Sequence, residues 1–111
     1  MYRGTTPTLR VKLTTAILAE DIVQLYLTVE NSSKELTWTI EDLEIQQFPQ
    51  TETDPAYIEV IKHMTQEETL SFKSGRVTVQ ARILTRDGSA YASNMKPCSI
   101  NDILKDGEIH E

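Results

Sequence analysis

Apolar and polar residues alternate with a period of two along several stretches of this chain, as in β-strands that bury one face. The clearest stretch follows Gly75. Its apolar face carries Val77, Val79, Ala81 and Ile83, and its polar face carries Arg76, Thr78, Gln80 and Arg82. The dipeptide Asp87-Gly88 is typical of a type I′ turn, in which both central residues have positive φ. We therefore expect a hairpin whose return strand covers residues 90–93.

The N-terminal half of the chain predicts four further strands. A turn at Asn31-Ser32-Ser33 joins the second strand to the third in a hairpin. The residues predicted to face inward on these strands are Leu9, Val11 and Leu13, then Val23, Leu25, Leu27 and Val29, then Leu36, Trp38 and Ile40, and finally Leu43 and Ile45. Tyr26 falls on the outer face of the second strand. A polar loop, residues 48–55, follows the fourth strand and contains Pro49 and Pro55.

Residues 56–64 are compatible with two structures. Tyr57, Val60, Ile61 and Met64 have helical spacing, whereas Ile58, Val60 and Met64 also fit a strand. The strand is favoured because a new helix start follows directly, where Thr65 and Glu68 can form a capping box for one short helical turn near residues 65–70. With this strand the chain has six to seven strands. The prediction is an all-β antiparallel sandwich of immunoglobulin-like topology.

The length and composition predict one domain over residues 1–111. Residues 1–7 are predicted to form an extended N-terminal arm that ends at Pro7. Residues 99–111 are predicted to form a C-terminal tail that carries Ile100, Ile103, Leu104 and Ile109. Pro97 restricts the segment before this tail to a sheet edge or a bulge.

The formal net charge of −6 disfavours nucleic acid and anionic membranes as partners, because phosphates bind clustered Lys and Arg. The sequence has neither a signal peptide nor a membrane-spanning stretch, so we expect a product that is made and kept in a cytoplasm or released only by lysis, and that is not secreted by a signal peptide. Cys98 is the one cysteine and is interpreted as a packing residue. His63 and His110 are interpreted as surface residues.

None of the familiar catalytic or cofactor-binding motifs is present, so we predict no catalytic residues, no metal, no cofactor and no small-molecule substrate. The carboxylates at Glu41, Asp42, Glu44, Glu52 and Asp54 are interpreted as a solvated acidic rim. Sandwich domains often bind partners through loops or strand edges. Tyr2, Tyr26 and Phe48 are the aromatic residues least suited to the core, and they are the candidate interface residues.

Four stretches, which together span nearly the whole chain, resemble small proteins of similar length from tailed phages and prophages of Gram-positive bacteria. They are Tyr2-Arg3-Gly4-Thr5-Thr6-Pro7-Thr8, Thr65-Gln66-Glu67-Glu68-Thr69-Leu70-Ser71-Phe72, Val77-Thr78-Val79-Gln80-Ala81-Arg82-Ile83-Leu84-Thr85 with Asp87-Gly88, and Ile103-Leu104-Lys105-Asp106-Gly107-Glu108-Ile109. The Thr-rich first strand is also similar, at the level of fold, to the N-terminal domain of phage baseplate upper proteins. The region from Pro49 to Met64 departs from the pattern. The similar proteins tend to have a short turn and a plain alternating strand there, whereas this chain has an added polar loop and the helix-compatible stretch Tyr57-Ile58-Glu59-Val60-Ile61.

The resemblance implies a phage structural or assembly protein of the tail or baseplate that associates with itself or with another phage protein. Such a protein would be made in the host bacterial cytoplasm and then carried in the virion. The alternative is a free intracellular phage factor that binds a host protein. An enzyme and a carbohydrate-binding module fit the sequence less well, because no catalytic motif is present and Trp38 is predicted to be buried.

Overall fold

The computed structural model describes residues 1–32 and 34–111, so Ser33 of the predicted Asn31-Ser32-Ser33 turn lies outside the described residues. Over these ranges the chain forms eight strands, one short α-helix and two 3₁₀ turns. The strands are β1 (Thr8–Thr14), β2 (Ile22–Glu30), β3 (Glu35–Thr39), β4 (Glu44–Phe48), β5 (Tyr57–His63), β6 (Gly75–Thr85), β7 (Ala90–Ala92) and β8 (Lys96–Ile100). The helix α1 covers Gln66–Leu70, and the 3₁₀ turns cover Ala19–Asp21 and Ile40–Asp42.

The strands form two antiparallel sheets, which confirms the predicted all-β sandwich. One sheet has the order β1-β5-β4, and the other has the order β3-β2-β6, with β7 and β8 both paired to β6. These orders correspond to the B-E-D and C′-C-F-G sheets of an immunoglobulin-like sandwich. β7 pairs with residues 82–84 of β6 and β8 pairs with residues 75–79, so the final edge strand is split into two.

The core lies between the two sheets. Its buried residues are Leu9, Val11, Ile22, Leu25, Leu27, Val29, Trp38, Ile58, Val60, Met64, Phe72, Val77, Val79, Ala81, Ile83 and Ile100. Most of the predicted inward positions belong to this set. Cys98 packs against the core as predicted.

Residues 56–64 form strand β5 rather than a helix, as favoured from the sequence. β5 is the central strand of its sheet, paired with β1 on one side and β4 on the other. Both Ile58 and Val60 are completely buried. Backbone pairing on both sides therefore determines the conformation of a segment whose apolar spacing fits either structure. The capping box of Thr65 and Glu68 is confirmed at the start of α1.

The prediction for Val23 was wrong. A β-bulge between Ile22 and Gln24 shifts the register of β2 against β6, so Ile22 faces the core and Val23 is 45% exposed. Ile40 and Leu43 are half-buried against the core but lie outside β3 and β4, because the 3₁₀ turn Ile40–Asp42 separates these strands.

The Asp87-Gly88 hairpin is confirmed, but its turn is not type I′. Within the described residues, positive φ is confined to glycines, so Gly88 has φ +89° and Asp87 does not enter the left-handed region. The Gly88 N–H donates to the Thr85 carbonyl over 3.0 Å, and the Thr85 N–H donates to the Ser89 carbonyl over 2.9 Å. A longer loop with one left-handed glycine closes this hairpin.

The N-terminal arm is not extended throughout, because it turns at Gly4, which has φ +72°. Its backbone pairs in parallel with the C-terminal tail. The Arg3 N–H donates to the Asn101 carbonyl over 3.0 Å, and the Asn101 N–H donates to the Met1 carbonyl over 2.7 Å. The arm and the start of the tail therefore extend the sandwich at one end.

Candidate interaction surface

The three predicted interface aromatics, Tyr2, Tyr26 and Phe48, lie on different parts of the molecule. Tyr2 is exposed beside Asn101 in the paired arm and tail. Tyr26 is 42% exposed on the outer face of the five-stranded sheet. Phe48 ends β4 in the other sheet, where its ring stacks on Tyr57 at a centroid distance of 4.6 Å. The fold therefore does not bring these residues into one site.

Tyr26 belongs to a broad outer surface that we call the five-stranded face. Strand alternation and the register of β2, β3, β6 and β7 give this face Gln24, Tyr26, Thr28, Glu30, Glu35, Thr37, Thr39, Arg76, Thr78, Gln80, Arg82, Leu84, Ala90 and Ala92. Its centre is uncharged, because Thr28 lies opposite Thr37 on one side and Gln80 on the other. Its charged residues lie toward the two ends of the strands.

Apolar side chains are exposed on the five-stranded face. Besides Tyr26, Leu84 is 41% exposed. A depression of about 190 Å³ lies among Gln24, Tyr26, Arg82, Leu84 and Ala90. A second depression of about 190 Å³ is lined by Thr28, Glu30, Thr78, Gln80 and the exposed Met95. An uncharged centre with exposed apolar groups is the composition of a protein interface core.

The outer face of the other sheet, which we call the three-stranded face, has the opposite character. Its residues are Thr8, Arg10, Lys12, Thr14, Glu44, Gln46, Phe48, Tyr57, Glu59, Ile61 and His63. Arg10 Nη1 lies 3.1 Å from Glu59 Oε2, and His63 Nε2 lies 3.4 Å from Glu44 Oε1. The charges of Arg10 and Glu59 compensate one another within the sheet, and the His63 ring lies beside the Glu44 carboxylate, which is typical of a surface in contact with solvent.

Lys12 and Phe48 cover Tyr57 on the three-stranded face. The Lys12 ammonium lies 4.2 Å from the centre of the Tyr57 ring, and the Phe48 ring stacks on it. Phe48 therefore has a partner within its own sheet. This contact makes Phe48 a packing residue of the three-stranded face, and we do not retain it as an interface candidate.

Within the described residues, three of the chain's five arginines form a side-chain hydrogen bond or an ion pair, and the other two form neither. Arg3 and Arg10 form ion pairs, and the Arg86 guanidinium donates to the Glu20 carbonyl over 3.0 Å. In the described part of the chain, Arg76 and Arg82 form no ion pair and no side-chain hydrogen bond. Both of these arginines lie on the five-stranded face.

A cleft of about 410 Å³ lies at one end of the sandwich, beside the Asp87-Gly88 turn. Its lining includes Ile17, Leu18 and Tyr91 together with Asp21 and Asp87. The Thr85 hydroxyl and the Ser89 N–H donate to Asp87, and they lower the pKa of its carboxyl below the usual value. The Asp87 carboxylate of this cleft thus fixes the hairpin.

Glu68 is the most highly connected carboxylate among the described residues. It accepts hydrogen bonds from the Thr65 N–H over 2.8 Å and from Trp38 Nε1 over 2.6 Å, and Lys62 Nζ lies 3.5 Å away. Burial opposes ionisation, but the Thr65 and Trp38 hydrogen bonds and the Lys62 charge outweigh it and lower the pKa of Glu68. The cluster joins α1 to both sheets, so its role is structural.

The titratable groups that sequence reasoning assigned to the surface are found there. His63, His110 and the acidic-rim residues Glu41, Asp42, Glu44, Glu52 and Asp54 are exposed. Across residues 1–32 and 34–111, no three His, Cys, Asp or Glu side chains are placed to hold a metal ion together. None of the helices formed by these residues is long and apolar enough to cross a membrane.

Sequence reasoning did not identify Arg82, Leu84 and Met95 as parts of a candidate surface. Arg82 was placed correctly on the polar side of its strand, but its lack of an ion-pair partner depends on which strands lie beside β6. The sequence does contain a signal for this surface, because the outward residues of β2 and β6 include three that are polar without being charged. They are Thr28, Thr78 and Gln80.

No protein-family model matches this chain, and neither a curated protein nor a solved structure is significantly similar to it.

Proposed function

We propose that this chain is a non-catalytic structural or assembly protein of a tailed phage or prophage, associated with the tail or baseplate. In this proposal it acts by protein–protein association through the five-stranded face. The observation that carries the proposal is the contrast between the two outer faces. On the three-stranded face the Arg10 guanidinium is paired with Glu59. The five-stranded face exposes Tyr26 and Leu84 around an uncharged centre and leaves Arg82 unpaired.

The fold and the resemblance support the same proposal. An immunoglobulin-like sandwich presents large rigid faces, which suit the repeated contacts of an assembly. The resemblance to small proteins of phages and prophages covers nearly the whole chain. We place the protein in the host cytoplasm during assembly and then in the virion.

The first experiment looks for the protein in phage particles. Particles are purified by density gradient and analysed by mass spectrometry, and a tagged chain is used to capture partners from a phage lysate and from an uninfected host lysate. The tag belongs at the exposed C-terminal Glu111, because the N-terminal ammonium donates to the Ser99 carbonyl over 2.6 Å. We expect the protein in the particles and a phage protein in the capture.

A matched pair of variants tests whether the five-stranded face makes the contact. Thr37→Lys places a charge at the centre of edge strand β3, and Gln46→Lys does the same on edge strand β4 of the three-stranded face. Both positions are exposed in the wild-type chain. We expect Thr37→Lys to reduce capture of the phage partner by about tenfold and Gln46→Lys to leave it unchanged.

The alternative, a free intracellular factor that binds a host protein, gives a different result in the same experiments. The protein would then be absent from purified particles, and the capture would contain a host protein from the uninfected lysate. That combination of results would refute the proposed structural role.

A further inference from the structure

The central part of the five-stranded face consists of three successive rows across its strands, with Gln24 and Leu84 beyond the first row and Arg76 beyond the third. In the first row Tyr26 lies between Thr39 and Arg82, and in the middle row Thr28 lies between Thr37 and Gln80. In the third row Glu30 lies between Glu35 and Thr78. The first row thus carries a cation and an aromatic ring, the middle row is uncharged, and the third row carries two carboxylates.

The charges of the outer rows are not compensated within the chain. Glu30 and Glu35 lie directly opposite each other on neighbouring strands, an arrangement of like charges that destabilises a sheet. Arg82 and the two carboxylates form no ion pair within the described part of the chain.

We infer that the five-stranded face binds the same face of a second copy of this chain. The copies are related by a twofold axis that lies in the interface along the Thr37-Thr28-Gln80 row. This inference rests on the proposed function, because it takes the five-stranded face as the interface. The axis places the first row of one copy on the third row of the other, so Tyr26 lies on Glu30 of the second copy, and Arg82 lies on Thr78 beside that Glu30.

The symmetry explains why Arg82 and the two carboxylates lie on opposite sides of an uncharged row. In a twofold interface each contact occurs twice, so a surface must be complementary to itself. Here Arg82 of each copy lies beside Glu30 of the other, and the uncharged central rows of the two copies pack against each other.

The dimensions of the face suit a reversible dimer. From Gln24 to Glu30 the face is about 23 Å long, and four neighbouring strands make it about 19 Å wide. This flat area of about 440 Å² is smaller than the roughly 800 Å² per partner of a standard interface. We therefore expect a dissociation constant on the order of micromolar rather than nanomolar.

A charge exchange across the axis tests this arrangement, with dissociation constants measured by sedimentation equilibrium. Arg82→Glu brings like charges together, and so does Glu30→Arg, so each is expected to weaken the dimer by about tenfold or more. The double variant Arg82→Glu/Glu30→Arg restores the opposite-charge contact and is expected to return to within about threefold of wild type. Lys105→Glu, an exposed position in the tail with the same change in charge, is the control and should leave the constant unchanged.

Circular dichroism melting of each variant is the control for folding. In a variant that melts like wild type, a loss of dimer is assigned to the interface. If the losses of dimer affinity in the two single variants simply add in the double variant, the twofold pairing of Arg82 with Glu30 is overturned. Wild-type protein that stays monomeric at every concentration, yet still captures a phage partner, would overturn the inference while leaving the proposed function in place. A monomer that captures no phage protein and is absent from particles would overturn both.

Discussion

Trp38 donates its indole N–H to Glu68 across 2.6 Å and so connects edge strand β3 to the capping box of helix α1. The Lys62 ammonium lies 5.1 Å from the centre of the Trp38 ring and 3.5 Å from the Glu68 carboxylate. Trp38 thus closes one end of the core and also supplies a hydrogen bond to a partly buried charge.

Replacing Trp38 by phenylalanine removes this hydrogen bond while keeping an aromatic ring. We expect the free energy of unfolding to fall by about 1–3 kcal/mol, as for a lost bond to a charged group. A double-mutant cycle with Glu68→Gln, followed by urea denaturation, should give a coupling energy of about 0.5 kcal/mol or more. The exposed neighbour Glu67→Gln is the control, and an equal loss in that variant would contradict the assignment.

The lowered pKa of Glu68 makes stability depend on pH in the acid range. The carboxyl has its usual pKa of 4.5 in the unfolded chain and a lower pKa in the folded one. Its contribution is therefore fully present above about pH 4.5 and is lost as the pH falls through the folded pKa. We expect Glu68→Gln to flatten this part of the stability curve, and a curve as steep as that of wild type would contradict the prediction.

Arg3 joins the N-terminal arm to the helix and the tail. Its side chain is 18% exposed, donates to the carbonyls of Phe72 over 2.7 Å and Leu70 over 3.0 Å, and lies near Asp102 and Asp106. We expect Arg3→Ala to lower the free energy of unfolding by about 1–3 kcal/mol and to speed hydrogen exchange in residues 99–106. Asp102→Asn, at an exposed position, should cost about 1 kcal/mol or less.

Gly4 and Gly107 both have positive φ but differ in the space around a Cβ. Their alanine variants therefore separate the cost of backbone strain from that of steric crowding. A Cβ at Gly4 would lie 3.2 Å from Ile103 Cδ1 and 3.3 Å from Leu70 Cδ2, whereas a Cβ at Gly107 would meet nothing within 4 Å. Both alanine variants suffer the cost of the left-handed backbone, about 1 kcal/mol. We expect Gly4→Ala to destabilise the protein more than Gly107→Ala does, and equal midpoints in urea would contradict this.

The sequence predicted those features that depend on local pattern. The alternation in β6, the Thr65 and Glu68 capping box and the inward Trp38 all appear in the structure as expected. The position of Val23 was missed because a bulge depends on the neighbouring strand. The turn at Asp87 was missed because its carboxylate binds the local Thr85 and Ser89 donors in a turn with one left-handed residue.

The candidate surface was predictable only in part, for a related reason. Tyr26 could be placed outside from the alternation of β2 alone. The unpaired state of Arg82, the opposed carboxylates of Glu30 and Glu35, and the stacking of Phe48 on Tyr57 depend on which strands become neighbours. Sequence periodicity gives the face on which a residue lies, but the pairing of strands gives the residues beside it.

Oxidative footprinting tests the central claim, that the five-stranded face is the surface of association, most directly. The protein is labelled by hydroxyl radicals when dilute and when associated, and the labelling rates of Tyr26, Met95, Tyr2 and Tyr57 are compared by mass spectrometry. Our account predicts that association slows the labelling of Tyr26 and Met95 severalfold while Tyr2 and Tyr57 react as before. Protection of Tyr57 with unchanged labelling of Tyr26 would contradict it, because the contact would then lie on the three-stranded face.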